Sequence, residues 1–265
     1  MADNIIRIPA PDHSIYRIFP LWFFEEVLRT KSLVLAHPSI WEDPLEIVGS
    51  FIGVNQKLNG KYSQENIAAP FARIFAQCWS ATKESDTLLR AYSRVVKDPH
   101  VRRNIMPRDE GVRVRTSARK LLNALEAGTK ELPKGCCYIG AVQYLPREAL
   151  LQRIANAVGK FGKDFFSHPN NLATLALLKR EAFSYEAEVR LIFVYDEIVP
   201  GTKIMRVRMD PNALFDEVTF DPRLESFERR EREAVARDLG YTGNIIESDL
   251  YHRIELTVRL PDRND

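Results

Sequence analysis

Glu186 and Glu188 stand two residues apart, with Arg190 two further on, inside the run Lys179-Arg180-Glu181-Ala182-Phe183-Ser184-Tyr185-Glu186-Ala187-Glu188-Val189-Arg190-Leu191-Ile192-Phe193. A β-strand points alternate side chains to opposite faces. A strand starting at Tyr185 would therefore gather both carboxylates and the guanidinium on one face, and set Tyr185, Ala187, Val189, Leu191 and Phe193 on the other. Carboxylates fixed on a rigid element suit a site where positive charge develops on a substrate. The same pattern also suits the solvated outer face of a half-buried strand, where Glu and Arg pair weakly with neighbours and water.

The elements that must position this run alternate irregularly between strand and helix periodicity. Ser14-Ile15-Tyr16-Arg17-Ile18-Phe19 alternates and stops at Pro20, after which Leu21, Phe24, Val27 and Leu28 recur at helical spacing. A short strand over 32–36 is followed by His37-Pro38-Ser39-Ile40-Trp41-Glu42-Asp43-Pro44-Leu45-Glu46, whose two prolines exclude regular structure and whose aromatic and acids could line a pocket. A strand is expected over 72–80 and a helix over 87–96 stopped by Pro99. A strand over 111–116 leads into a helix capped by Ser117 and ended by Gly128. Further strands are expected over 137–144, 203–209, 217–220, 244–248 and 255–260. Further helices are expected over 146–158, 171–180 and 224–239. Short alternating strands without strict strand-helix repetition predict an α+β fold, with mixed, mostly antiparallel sheets and flanking helices.

Composition narrows the function classes. With 265 residues, 45% hydrophobic and 28% charged, the chain can bury a sizeable core and is read as one domain, 1–265. A net charge of +2 implies no general affinity for polyanions or membrane surfaces, no apolar run reaches membrane-spanning length, and a cytoplasmic protein is expected. Cys78, Cys136 and Cys137 have neither paired-disulfide nor zinc-ligand spacing and read as reduced packing residues. The five histidines are scattered singly, and no metal is assigned. Phosphate-binding glycine loops, nucleophile elbows and His-Glu-x-x-His runs are absent from the sequence. Between Arg94 and Lys120, nine basic residues face three acidic ones. Such a segment could follow a nucleic-acid backbone through Arg102, Arg103, Arg108, Arg113 and Arg115, or form a solvated face, which the lack of interleaved aromatics favours.

Several motifs in fixed order carry a resemblance. They are Tyr16-Arg17, Asp43-Pro44-Leu45-Glu46, Cys78-Trp79-Ser80 with Glu84-Ser85, Tyr92, Gly111-Val112-Arg113-Val114, and Lys179-Arg180 through Glu186-Ala187-Glu188-Val189-Arg190. Over nearly its whole length the chain thereby resembles the bacterial family catalogued as domain of unknown function 2971. It departs from that family at Glu42, where Asn is usual, and at Leu89, where Trp is usual. The family's layout is similar to the ADP-ribosyltransferase fold. The resemblance therefore implies NAD as substrate, an NAD-consuming ADP-ribosyltransferase or NAD hydrolase, and a defence or toxin role with a protein or nucleic-acid acceptor or a defence-system partner. Carried over residue by residue, it places Arg17 on phosphate or ribose, Ser80 on the nicotinamide ribose and Tyr92 against the nicotinamide. Glu188 becomes the carboxylate that stabilises the sugar cation, and Glu186 the group that positions or deprotonates an acceptor. Two other readings remain: a nucleic-acid-directed protein using the 94–120 segment, and a non-catalytic partner-binding module in which Glu186, Glu188 and Arg190 form an ion-pair ladder.

Overall fold

The computed structural model describes residues 4–46, 53–58, 61–66, 68–198, 201–251 and 255–259. The strands in chain order are β1 (Ile5–Ile6), β2 (Ser14–Pro20), β3 (Ser32–Ala36), β4 (Gly53–Leu58), β5 (Lys61–Asn66), β6 (Ile74–Ser80) and β7 (Gly111–Ser117). They continue as β8 (Gly135–Ala141), β9 (Gln143–Leu145), β10 (Leu178–Arg180), β11 (Glu188–Tyr195), β12 (Ile204–Arg208), β13 (Glu217–Phe220) and β14 (Ile245–Ile246). The helices are α1 (Leu21–Thr30), α2 (Ala68–Phe71), α3 (Asp86–Tyr92), α4 (Ala118–Gly128), α5 (Arg147–Phe161), α6 (Pro169–Leu175), α7 (Pro211–Leu214) and α8 (Ser226–Asp238).

One large sheet runs β1-β8-β11-β6-β2-β7-β13-β14, and its ladders are antiparallel except at β1-β8 and β13-β14. The α+β architecture with a mostly antiparallel mixed sheet and flanking helices is thus the one the strand patterns imply. At β6 the sheet forks. One edge is fully paired with β11, whereas the other is shared by β2, through Tyr16 opposite Ser80, and β3, through Ala36 opposite Ala76. β3 then carries β12, and β2 carries β7. Between the two branches no strand ladder reaches Gln77, Cys78 or Trp79 from that side.

Helix α1 makes the fork. Pro20 ends β2, and Leu21, Phe24, Val27 and Leu28 bury one face of the helix before Lys31, at φ 48°, turns the chain into β3. Two apolar layers cover the sheet. Val189, Leu191 and Phe193 of β11 pack with Phe75, Trp79, Leu121 and Leu125 on one side. Ile192 and Val194 pack with Ile74, Leu150, Ile154 and Leu172 on the other. Each such side chain contributes about 1.5–3 kcal/mol on burial. Consequently every residue of β11 is buried, and the side expected to be solvated is covered.

Several boundaries differ from the sequence expectation. The strand begins at Glu188 and not Tyr185, because Glu181–Glu186 form a 3-10 turn and Ala187 adopts φ 43°. The helix expected over 171–180 stops at Leu175, and Leu178–Arg180 form β10 against β9. The helix expected to reach 96 ends at Tyr92, since Ser93 leaves it to bond Asp221 at 2.5 Å and the Gly111 amide at 2.6 Å. The strand expected over 137–144 divides into β8 and β9, with the Val142 amide donating to the Glu188 carbonyl at 2.9 Å. Residues 255–259 form no strand, and residue 260 lies outside the described residues. The β4-β5 hairpin was not anticipated from the sequence, although Asn59-Gly60, outside the described residues, is a strong hairpin signal.

Candidate active site

The fork in the sheet opens into a cleft of about 320 Å³. Its walls include Arg17 from β2, Cys78 and Ser80 from β6, Tyr92 at the end of α3, Trp41 from the loop after β3, Glu186 at the end of the 3-10 turn before β11, and Glu188 at the start of β11. All five residues singled out in the sequence therefore face one space. Strand register accounts for much of this, because Glu188 lies opposite Ser80 on β11-β6 and Ser80 lies opposite Tyr16 on β6-β2.

Arg17 reaches across the fork. Its Nη1 donates to the carbonyl of Cys78, one of the β6 groups that no strand partner reaches. The guanidinium also lies 5.0 Å from the Phe19 ring centroid. Arg17 Nε is buried and has no hydrogen-bond partner among the described residues. Burial lowers its pKa, an effect opposed by nearby Cys78, Tyr92 and Glu188, and a guanidinium stays charged in proteins regardless. The other branch is braced in the same manner, with Gln77 Nε2 donating to the Val34 carbonyl at 3.0 Å.

Opposite Arg17 lies a buried ion cluster. Arg190, fully inaccessible, donates to Glu188 Oε2 through Nε at 3.1 Å and Nη2 at 2.5 Å, to Glu46 Oε2 at 2.6 Å and to the Ala176 carbonyl at 2.7 Å. The Trp41 ring caps the guanidinium at 4.6 Å. Lys179 Nζ lies 2.6 Å from Glu186, 3.1 Å from Glu46 and 3.5 Å from Glu188. Arg180 grips Asp43 with two bonds of 3.1 and 2.9 Å, which anchors the same loop.

This environment separates the two site carboxylates. Burial alone would raise Glu188, but Arg190 and Lys179 outweigh it and hold its pKa below the usual carboxylate value. Glu186 is raised by burial, opposed by its bond to Lys179 and reinforced by Glu188 and Glu46. Two acids two residues apart are therefore shifted in opposite directions, the arrangement that assigns different protonation tasks to paired carboxylates. The Cys78 thiol is pushed up to about 12, chiefly by burial and then by Glu188, and is not a reactive thiolate near neutrality.

Ser80 has a structural commitment in addition to its place in the wall. Its hydroxyl donates to the Glu186 carbonyl at 2.7 Å and accepts from the Thr82 amide at 3.0 Å, leaving one lone pair toward the cleft. Tyr92 is half exposed and lines the same cleft. Sequence reasoning gave no role to Lys179; it offered the aromatic and the acids of the 37–46 loop as pocket lining, and Trp41 does line the cleft, whereas Glu46 lies behind it in the ion cluster. The available signal was a lone Arg in the eight-residue strand Glu188–Tyr195, whose remaining interior is apolar and which therefore requires buried counter-ions from elsewhere.

The basic segment is largely neutralised by its neighbours. Arg102 pairs with Glu225, Arg103 with Glu231, Arg113 with Glu84 and Arg115 with Glu217, and Lys97, Arg119 and Lys120 also have acidic partners. Its charge is thus answered locally, in favour of the solvated face. Among the described residues no group of three or more His, Cys, Asp or Glu stands where it could hold a metal, and no helix is long and apolar enough to cross a membrane.

No family model matches the chain, and no curated protein matches it. Solved structures of Thermus sp. 2.9 DarT are similar to it. One, in complex with ADP-ribosylated ssDNA, has 13% identity and a TM-score of 0.39, with 91% of this chain and 96% of that chain covered. Another, in complex with NAD+, has 12% identity and a TM-score of 0.37 at the same coverage.

Proposed function

We propose that the cleft binds NAD and breaks its nicotinamide-ribose bond, so that the protein acts as an ADP-ribosyltransferase or NAD hydrolase. The observation that supports this reading best is the pairing across one cleft of a guanidinium with an unsatisfied buried Nε, Arg17, and a carboxylate kept ionised by its neighbours, Glu188. An orphaned buried donor calls for an acceptor, and a phosphate or ribose oxygen supplies one. A volume of about 320 Å³ lies at the small end of ligand pockets and suits one half of a dinucleotide, with the rest extending from the mouth.

In this reading the C1′–N bond breaks and its electron pair leaves with nicotinamide, cancelling the pyridinium charge. Positive charge moves to the ribose C1′ and ring oxygen, where Glu188 stabilises it. Water or an acceptor hydroxyl attacks C1′ and gives its proton to Glu186, whose raised pKa suits a base working nearer neutrality. Tyr92 stacks on the nicotinamide ring. An effector role in bacterial defence rests on the family resemblance alone. Calorimetric titration with NAD tests the binding step: the parent binds and Arg17→Leu binds at least about tenfold more weakly, a loss of about 1.4 kcal/mol. Equal affinity for the two proteins contradicts the assignment of Arg17.

A further inference from the structure

We propose that Lys179 and Glu46, neither of which lines the cleft, are positioning residues that set the protonation and direction of Glu186 and Glu188. The inference deepens the reading above, and rests on it for the roles of the two site glutamates.

Three carboxylates and two cations share this buried space, and their connectivity is uneven. Glu188 and Glu46 each receive bonds from Arg190 and approach Lys179, whereas the only cation paired with Glu186 among the described residues is Lys179. Glu46 competes with Glu186 for the same ammonium, at 3.1 Å against 2.6 Å. Every charged or titratable group facing Glu186 has a definite sign: Lys179 on β10 favours its ionised form, while Glu188 on β11 and Glu46 in the Pro44–Glu46 turn oppose it. Tyr92 on α3 and Tyr144 on β9 stay neutral near pH 7, Tyr144 being pushed up to about 12 by burial. Residue 46 therefore acts as a counterweight: removing its charge strengthens the hold of Lys179 on Glu186, and removing the charge of residue 179 releases it.

If residues 46 and 179 only brace the fold and do not act on Glu186, both variants lose stability with no opposite movement of that carboxylate. The discriminating measurement is a titration of the Glu186 side-chain carbon by NMR, in protein labelled at glutamate carboxyls and assigned with Glu186→Gln. Glu46→Gln lowers the Glu186 midpoint, Lys179→Gln raises it by about one unit or more, and Lys179→Arg returns it toward the parent. An unmoved midpoint in Glu46→Gln overturns the proposal. Should Lys179→Gln fail to fold, Glu46→Gln and Lys179→Arg carry the test unaided. Because the titration needs no substrate, its outcome is separable from that of the cleft's activity. Midpoints that move without any release of nicotinamide from NAD leave the positioning intact and end the enzymatic reading. Release of nicotinamide with unmoved midpoints does the reverse.

Discussion

Arg190→Met removes a cation that is wholly enclosed in the sheet, and its cost can be worked from the partners left behind. Glu188 and Glu46 would lose bonds of 2.5–3.1 Å, with Lys179 left as a neighbouring cation at 3.5 and 3.1 Å, and the Ala176 carbonyl would lose a donor at 2.7 Å. Breaking a buried ion pair from one side costs about 3–5 kcal/mol, because an uncompensated charge stays in a low-dielectric place. Against a total stability of about 5–15 kcal/mol, that is a large fraction. Urea unfolding at pH 7 should show an unfolding free energy lower by that amount, and Glu188→Gln in the same background should recover part of it by removing the stranded charge. The pH dependence has a definite sign. In the parent, the depressed pKa of Glu188 contributes stability above the unfolded value of about 4.3 and loses it as pH falls through the lower folded value. In the variant the stranded Glu188 carboxyl takes up a proton more readily, so the gap between the two proteins should narrow on acidification. Unfolding free energies within about 0.5 kcal/mol of each other at pH 7, the size of an ordinary surface substitution, would refute the buried-cluster reasoning.

Ser80→Ala should cost about 1–2 kcal/mol in urea unfolding, since the Thr82 amide and the Glu186 carbonyl both lose their hydroxyl partner; an unchanged midpoint would show that the hydroxyl does not hold that turn. Tyr92→Ala should raise the KM for NAD several-fold while Tyr92→Phe preserves it, because stacking needs the ring and not the hydroxyl; equal KM values in steady-state assays would remove Tyr92 from the site. Ala187→Gly should change stability by less than about 1 kcal/mol, because relief of the φ 43° backbone offsets the greater freedom of glycine in the unfolded chain; thermal melts decide this.

Much of the fold was visible because its strands alternate plainly. β2, β3, β6, β7 and β13 lie within two residues of their expected bounds, and the Ser117 hydroxyl oxygen accepts from the Lys120 amide as its position before α4 implied. Parity along β11 was legible too: Glu188 and Arg190 do share a side. That this side is closed was not legible, because it depends on a loop some 140 residues earlier in the chain, and local periodicity carries no trace of Glu46 or Trp41 folding over it. The 171–180 error has a related cause. An apolar stretch ending in Lys-Arg reads as helix, yet ion pairs from Lys179 to three glutamates and from Arg180 to Asp43 accompany an extended backbone there. The five residues that the family resemblance singles out line one cleft, and the register of β2, β6 and β11 supplies a physical reason they meet.

In the proposed reaction a carboxylate in the fork of the sheet promotes loss of nicotinamide from NAD. The most direct measurement of that loss is nicotinamide released per folded protein, compared between the parent and Glu188→Gln. The parent should release nicotinamide, and the variant should do so at least about 100-fold more slowly, the scale of losing a charge-stabilising group from an active site. A parent that leaves NAD intact after prolonged incubation, or a folded Glu188→Gln protein that cleaves it at the parental rate, would contradict the account.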